Sequence, residues 1–581
     1  MARVPPDKDG VVITDVVGVP MSDVDPSPLQ SGVREVPTFF GPAESPLFGV
    51  VHMPVTARAR GAVLICGSIG KDNSDNLRGL RLLGDQLAQR GILAMRFDYL
   101  GTGDSSFGQL RDGAVGEWQQ SIDHALDYLA AAGFSDVSAV ALRAGSLILD
   151  DLLAKSDRIS RVVYWDPPST GRRFLREQIA FFKIAVGDDD VPAGVVSLIG
   201  TRLSERAAAE FSALKLSPTV PDSITARLII GRSEGNDAKV TAAGTAARSE
   251  SIDVPGLALC AQPSRLLTAI SLDAIDAATE WLDAQLPGDL ESVDITVAES
   301  ARIAVGDGSF VTERIERIGP HSMFAIRCLP DSVAGQHDNG AMSTVAFFTN
   351  ANNPHHGPNR EWVELSRSVA ARGRQALRWD RRGAGESVPA GRDEAIHIYS
   401  DQGIEDALAA TAYARQGASD LQMAGVCSGS WYAAQGATRL GADSVVFVNA
   451  LLWSWRVKKA MRVRALPGDS DEIDWEQTPR AQLRRRIQGR LPAIAWRQLG
   501  RTGVAQAPEV LLAPLARRGV RAIVILCPKD AGLFSANRGF NAVKRLRSRA
   551  APPEVVETAE GDHAAYHQSV LQALRRVVLS S

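Results

Sequence analysis

A chain of 581 residues is too long for one ordinary domain, and its 45% hydrophobic and 23% charged residues are globular proportions. A net charge of −3 gives no global attraction for nucleic acid, and no apolar run reaches the roughly 18–20 residues that a membrane span needs. Five scattered cysteines (Cys66, Cys260, Cys328, Cys427, Cys527) argue against a disulfide frame or a zinc site and for reduced thiols in a cytoplasm. Residues 1–32 are rich in Asp, Pro and Val and hold no apolar signal-peptide core, so they read as an N-terminal arm. The 54 Arg against 10 Lys point to a GC-rich genome, and a bacterial cytosolic protein is the simplest reading. From residue 33 onward, apolar runs at 62–66, 93–98, 137–142 and 161–165 read as strands, with helical spacing at 77–89 and 118–131. Continuous apolar strands separated by amphipathic helices imply a mostly parallel sheet covered on both faces.

The same alternation returns later in the chain. Strands are expected at 343–350, 375–380, 421–426 and 444–449, and helices at 361–372, 403–414 and 431–440. Arg96-Phe97-Asp98-Tyr99-Leu100-Gly101-Thr102-Gly103-Asp104-Ser105 matches Arg378-Trp379-Asp380-Arg381-Arg382-Gly383-Ala384-Gly385-Glu386-Ser387. The offset is 276 from Phe48 to Phe324, 282 from Arg96 to Arg378 and 284 from Arg143 to Cys427. A slowly growing offset in one order predicts two copies of one domain, at 33–287 and 294–581.

Gly425-Val426-Cys427-Ser428-Gly429 lies between an apolar run and a small-residue run, which makes a strand, a tight turn and a helix start. Its glycines allow the sharp turn. The stretch has the form of a G-x-S-x-G elbow with Cys427 in the serine's place. With the D-x-x-G-x-G-x-S turn and the order nucleophile–acid–histidine, it resembles the α/β-hydrolase superfamily, and the resemblance covers both halves. It implies two tandem α/β-hydrolase-like domains, each with a mostly parallel sheet, flanking helices and helical cap insertions. It also implies Cys427 as nucleophile, Asp530 as the acid closing an apolar strand from 521, and His563 in the loop after a short strand at 554–557. The spacings are 103 and 33 residues. The oxyanion donors would be the backbone of Ser428 and of Ala351, with Asn350 and Asn352 as near alternatives.

This set is what thiol acyl chemistry requires. An imidazole takes the thiol proton, a carboxylate fixes the imidazole's tautomer, and backbone N–H groups hold the oxyanion. The first copy lacks it. Arg143 stands at the apex, Glu234 is the nearest acid, and no histidine falls between Gly231 and Leu286. That half is expected to be catalytically dead and to cover the active half or bind substrate.

Rival readings exist for several residues. His567 competes with His563 as base, Asp562 and Glu560 with Asp530 as acid, and Ser428 with Cys427 as nucleophile. Cys427 also has the bland reading of an inert buried thiol, and Arg143 that of an anion binder. His355-His356 forms a metal-type pair with no third ligand at useful spacing, so a loop near the pocket mouth is expected, with no metal and no cofactor. The segment 451–518 reads as a cap with 14 basic and 6 acidic residues, net +8. Arg484-Arg485-Arg486 and Arg490 in it are either a solvated face or an entrance for an anionic acyl carrier protein or coenzyme A. Trp453, Trp455, Trp475 and Trp496 line an acyl channel or fill the cap's own core.

Cysteine elbows resemble those of dienelactone hydrolases, polyhydroxyalkanoate synthases and the cysteine cyclases that release tetramate-type rings. This likeness implies a Cys–His–Asp acyl-transfer enzyme on an ester or thioester, set in natural-product biosynthesis. The alternatives are a simple hydrolase with a cysteine nucleophile, or a non-catalytic scaffold.

Overall fold

A computed structural model describes residues 32–187, 192–232, 248–261, 269–286, 288–306, 308–333, 341–350, 353–387, 398–457 and 491–580. The arm, Glu234, Ala351, Asn352 and residues 458–490 of the basic segment lie outside the described residues. Eight strands build the first sheet: β1 (Val33–Phe40), β2 (Leu47–Pro54), β3 (Ala62–Cys66), β4 (Leu93–Phe97), β5 (Val137–Leu142), β6 (Ile159–Trp165), β7 (Ala226–Arg232) and β8 (Ser249–Val254). Nine build the second: β9 (Ser300–Gly306), β10 (Ser309–Ile318), β11 (Met323–Pro330), β12 (Met342–Phe348), β13 (Gln375–Trp379), β14 (Ala418–Val426), β15 (Ser444–Val448), β16 (Arg521–Leu526) and β17 (Glu554–Glu557).

The first sheet runs β1-β2-β4-β3-β5-β6-β7-β8, and the second β9-β10-β11-β13-β12-β14-β15-β16-β17. Apart from the edge strand β9, the two orders are the same, and both halves have the α/β-hydrolase architecture. The opening strands pair antiparallel and the rest are parallel. The central strands are apolar along their whole length because helices cover both sheet faces. In the second half, Glu361–Ala370 and Gln568–Leu579 pack on one face. Asp401–Arg415, Ser428–Leu440 and Pro508–Arg517 pack on the other. The last of these was read as part of the cap, but its Leu511, Leu512 and Leu515 belong to the sheet's own core.

The halves are joined by a reciprocal exchange. Arg96 on β4 forms a two-pronged ion pair with Glu386 of the second half's glycine-rich turn, at 3.0 and 2.8 Å. Arg378 on β13, the matching position, reaches Asp104 of the first half's turn at 2.8 Å. The supporting contacts repeat as well. Arg81 binds Glu35 and donates to the Ser387 carbonyl, whereas Arg367 binds Glu313 and donates to the Asp104 and Ser105 carbonyls. Each turn is built alike, since Asp104 and Glu386 donate their N–H to Asp98 and Asp380, both at 2.9 Å. Gly103 and Gly385 have φ of 45° and 51°, and a Cβ on either would strike that same aspartate. Phe39, Phe48 and Val50 meet Ile315, Phe324 and Ile326 in an apolar patch between the halves.

Asp104 also holds His355 at 2.5 Å and His356 at 3.0 Å, and His355 bridges on to Asp380 at 2.6 Å. Burial opposes a charge on His355, but Asp104 and Asp380 outweigh it and push its pKa up to about 10. Asp104→Asn should strip Arg378 and both histidines of their shared carboxylate. The expected cost is about 3–5 kcal/mol, read from denaturant-induced unfolding. His355 binds its proton more tightly folded than unfolded, where its pKa is about 6.5. Its contribution is therefore complete below about pH 6.5 and lost as pH rises through about 10. The melting temperature should fall between these limits, and His355→Gln should flatten that fall.

Candidate active site

Cys427 sits at the apex between β14 and the helix Ser428–Leu440, with φ 51° and ψ −113°. A non-glycine residue rarely holds such a conformation, and strain of this kind is kept only where surrounding contacts enforce it. Three contacts do so. The Cys427 N–H donates to the Val448 carbonyl at 2.9 Å, and Ser430 Oγ donates to the Gly425 carbonyl at 2.6 Å. Gly429 lies so close to the end of β12 that a Cβ there would run into the Phe348 and Thr349 carbonyls. The elbow is thereby pressed against the loop expected to supply an oxyanion donor. Ser428 opens the helix, whose N-terminal N–H groups favour developing negative charge. Ala351, the expected second donor, is outside the described residues, while its neighbour Asn350 is described and buried.

Asp530 and His563 come together as the spacing predicts. His563 Nδ1 lies 2.9 and 3.1 Å from the two Asp530 carboxylate oxygens. A carboxylate only accepts, so Nδ1 carries the proton and Nε2 is left for the nucleophile. Nε2 has no hydrogen bond of standard geometry among the described residues; the Cys427 thiol is its electrostatic partner. Burial works against the imidazolium, but Cys427 and Asp530 hold its pKa well above the usual histidine range. Asp530 does not end the strand, as the sequence suggested. β16 stops at Leu526, and Pro528 starts a helix, Pro528–Ala536, whose first turn carries the acid.

The rivals have other tasks. Asp562 accepts the Tyr566 and His567 N–H groups at 2.8 and 2.7 Å and so shapes the histidine loop. His567 caps the helix Gln568–Leu579 by accepting from the Ser569 N–H. Glu560 stands 3.7 Å from His567 rather than beside His563.

Three residues join the site without a sequence signal. Asn449, with φ 47°, accepts the Cys527 N–H at 2.8 Å and donates to the Asp562 and His563 carbonyls at 2.9 and 3.1 Å. It thus clamps the acid's segment to the histidine's loop. Cys527 donates its Sγ–H to Asp530 at 2.9 Å, and burial and that carboxylate push its pKa up to about 12. Tyr399 is buried and interacts electrostatically with Cys427, while its hydroxyl makes no hydrogen bond of standard geometry among the described residues. Burial first, then the cysteine, raises its pKa well above the ordinary value.

The first half keeps the turn and fills it differently. Arg143 has φ 50° and ψ −116°, its N–H donates to Trp165, and Ser146 Oγ donates to Ala141. Its guanidinium is held by Asp72 at 3.1 Å, Asp166 at 3.3 Å and Glu177 at 2.9 Å. The Ala144 N–H, where an oxyanion would bind, donates to Ser68 Oγ at 3.3 Å. Both places that chemistry would use are occupied by the protein itself, including the one that made Arg143 a candidate anion binder.

Among the described residues, two clusters have ligand-type atoms within 4.8 Å of one another: Asp104-His355-His356 and Glu35-His52-Asp85. Asp104 is the third partner that spacing did not reveal. In both clusters the atoms are bonded to each other and to buried arginines. His355 is buried between the halves, so the expectation of a pocket-mouth loop holds only for His356, which lines a cleft there. Trp453 stacks on Phe447 at 5.5 Å and Trp496 is buried in a small apolar cluster with Trp455 against it, so these three fill cores. Trp475, Arg484, Arg485, Arg486 and Arg490 are outside the described residues. All five cysteines are free thiols, and no described helix is long and apolar enough to cross a membrane.

No family model matches the chain, and no curated protein does. Solved structures do resemble it. A hypothetical protein from Pseudomonas aeruginosa is 15% identical with a TM-score of 0.32, and 47% of this chain spans 99% of it. Est1E from Butyrivibrio proteoclasticus, solved with ferulic acid bound, is 14% identical with a TM-score of 0.33, at 42% of this chain and 96% of its own. A soluble variant of monoglyceride lipase from Saccharomyces cerevisiae is 14% identical with a TM-score of 0.32, at 44% and 97%. Each is spanned almost whole by less than half of this chain.

Asn449→Ala removes the clamp without substituting Cys427, Asp530 or His563. Alkylation of Cys427 by iodoacetamide at neutral pH should slow about tenfold or more, because a displaced imidazole no longer takes the thiol proton. Mass spectrometry of the labelled peptide, with the melting temperature as a fold control, checks this.

Proposed function

We propose that the second half is a cysteine-dependent acyl-transfer enzyme acting on an ester or thioester. The observation that carries the reading is the contrast between two like elbows: one holds a thiol beside a histidine–carboxylate pair, and the other an ion-paired arginine. His563 Nε2 takes the Cys427 proton, and the thiolate attacks the acyl carbonyl. The oxyanion is held by the Ser428 N–H and a backbone N–H of the loop after β12, with Ala351 the expected donor. The intermediate collapses, the C–O or C–S bond to the leaving group breaks, and His563 returns the proton to that group. An amine, hydroxyl, thiol or carbon acid then gives its proton to His563 and attacks the acyl-cysteine, which frees Cys427. Asp530 keeps Nδ1 protonated and stabilises the imidazolium. The Arg-rich stretch within 451–518 is the candidate contact for an acyl carrier protein or coenzyme A.

A cysteine hydrolase is the second reading. The His563 side chain is 26% exposed, although Nε2 itself is buried. Both readings share the acyl-cysteine, so intact-mass analysis with an activated acyl thioester should show one acyl adduct, absent in Cys427→Ala. Asp530→Asn should slow adduct formation by roughly 10²–10⁴-fold. Partition of the adduct between water and added amines or thiols then separates the readings, and dominant free acid removes the transferase. If Cys427 reacts no faster than a model thiol and forms no adduct, only a scaffold remains.

A further inference from the structure

The Cys427 thiol has two polar neighbours, His563 and Tyr399, and only the first has a part in the acyl transfer set out above. Tyr399 is placed by the very helix that Cys427 caps. The Tyr432 hydroxyl, in the second turn of that helix, accepts the Ser400 N–H at 3.1 Å and donates to the Ile398 carbonyl at 3.0 Å. The two peptide groups that flank Tyr399 are thereby fixed to Ser428–Leu440. The Tyr399 ring stands edge-on to Trp431 at 5.6 Å, and Trp431 lies one helical turn beyond Cys427 on the same face. Trp431 is held in turn, since its Nε1–H donates to the Ser454 carbonyl at 2.8 Å. Backbone and ring together set Tyr399 over the start of the helix.

The phenol lacks a settled partner. Tyr399 is 3% exposed, and a buried hydroxyl without a hydrogen bond of standard geometry is a net cost to folding. Three groups face it: the Cys427 thiol, the Tyr432 hydroxyl and the Leu452 N–H. The Leu452 N–H can only donate, and the Tyr432 hydroxyl is engaged with residues 398 and 400. That leaves the sulfur as the acceptor for the phenol O–H. His563 Nε2 is likewise buried without a standard hydrogen bond, and it too interacts with Cys427. Two buried groups thus share one sulfur. Burial and the neighbouring cysteine keep the phenol protonated far above neutral pH, so it serves as a donor and not as a base.

We propose that Tyr399 is a further catalytic residue, whose O–H donates to the Cys427 thiolate. Its part in turnover rests on the acyl-transfer reading; its effect on the thiol does not. When His563 Nε2 takes the thiol proton, the phenol O–H hydrogen-bonds the charge left on Sγ. As the C–S bond to the acyl carbon forms, that electron pair is drawn into the bond and the charge passes to the carbonyl oxygen. When the acceptor attacks and the C–S bond breaks, the pair returns to Sγ, and the same O–H stabilises the departing thiolate. Tyr399 keeps its proton throughout.

Tyr399→Phe removes the hydroxyl and keeps the ring. Alkylation of Cys427 by iodoacetamide in the full-length variant, followed from about pH 6 to 11, should be about tenfold or more slower than in the unsubstituted protein at pH 7. The two rates should converge at the alkaline end, where hydroxide ionises the thiol in either protein. The melting temperature should hold or rise, because an unpaired buried hydroxyl is gone. Ultraviolet thiolate absorbance, taken as the difference from Cys427→Ala, gives the same comparison without a reagent that the packing could exclude. An unchanged profile, or a slowing equal at every pH, overturns the proposal, and so does a lower melting temperature with the profile unmoved. If the unsubstituted protein reacts fast and Tyr399→Phe matches it, this role alone is lost. A shifted profile in a protein that forms no acyl adduct would keep the O–H···S bond and remove the enzymatic reading.

Discussion

The buried exchange of Arg96 with Glu386 and of Arg378 with Asp104 is the constraint on which the rest of the molecule depends. A charge taken out of water is tolerated only when it is paired and fully hydrogen-bonded. Here each arginine has a partner in the other half, and Arg378 also meets Glu313 of its own half at 2.9 Å. Separated, each half would lose an ion-pair partner of a buried arginine and of a turn carboxylate. The apolar patch around Phe48 and Phe324, whose rings meet at 5.9 Å, would be bared as well. Neither half is therefore a self-sufficient domain in the ordinary sense, although each has its own sheet and cores. The arrangement has the logic of an isologous dimer interface, in which residue i meets j and j meets i, carried out within one chain.

That constraint accounts physically for the persistence of a half without a nucleophile. The elbow of the first half keeps φ near 50° and the same backbone and serine bonds as the second, because those contacts come from the neighbouring strands and not from the apex side chain. The close approach of Gly145 to the Cys66 and Gly67 carbonyls matches that of Gly429 to the end of β12. The fold thus fixes the turn and leaves the apex open. A thiol there meets a histidine across the sheet end, while a guanidinium meets three carboxylates. Chemistry and ion pairing are two occupants of one backbone geometry.

Local signals carried much of this into the sequence. Apolar runs gave the central strands to within three residues, and the slowly drifting offset anticipated two sheets of one order. The glycines and small residues around Cys427 gave the elbow. Asp530 and His563 were visible as an acid after an apolar run and a histidine after a short strand, although Pro528 moves the acid onto a helix. What stayed hidden was long-range. Asn449 acts on segments 78 and 114 residues away, and no local pattern marks such a clamp. Tyr399 comes into the electrostatic reach of Cys427 through tertiary packing alone. The glycine-rich turns were read as a fold signature, and nothing within either turn tells that its acidic residue is spent on the other half. His355 belongs to the same class, because its third partner is 251 residues distant.

The two-half design bears on how an acyl-cysteine would meet its acceptor. Cys427 is 4% exposed and is backed by Tyr399, whose ring lies edge-on to Trp431 at 5.6 Å. That side of the thiol is closed by aromatic packing. Among the described residues, the loops of Asn353 and Tyr566 in the second half meet the first half. An approach along them runs between two walls held by buried ion pairs. Transfer in preference to hydrolysis requires an acceptor held against the acyl carbon while bulk water is kept few in number. Under the proposed acyl transfer, a wall donated by the first half would meet the first requirement and leave the second half's own residues to perform the proton transfers.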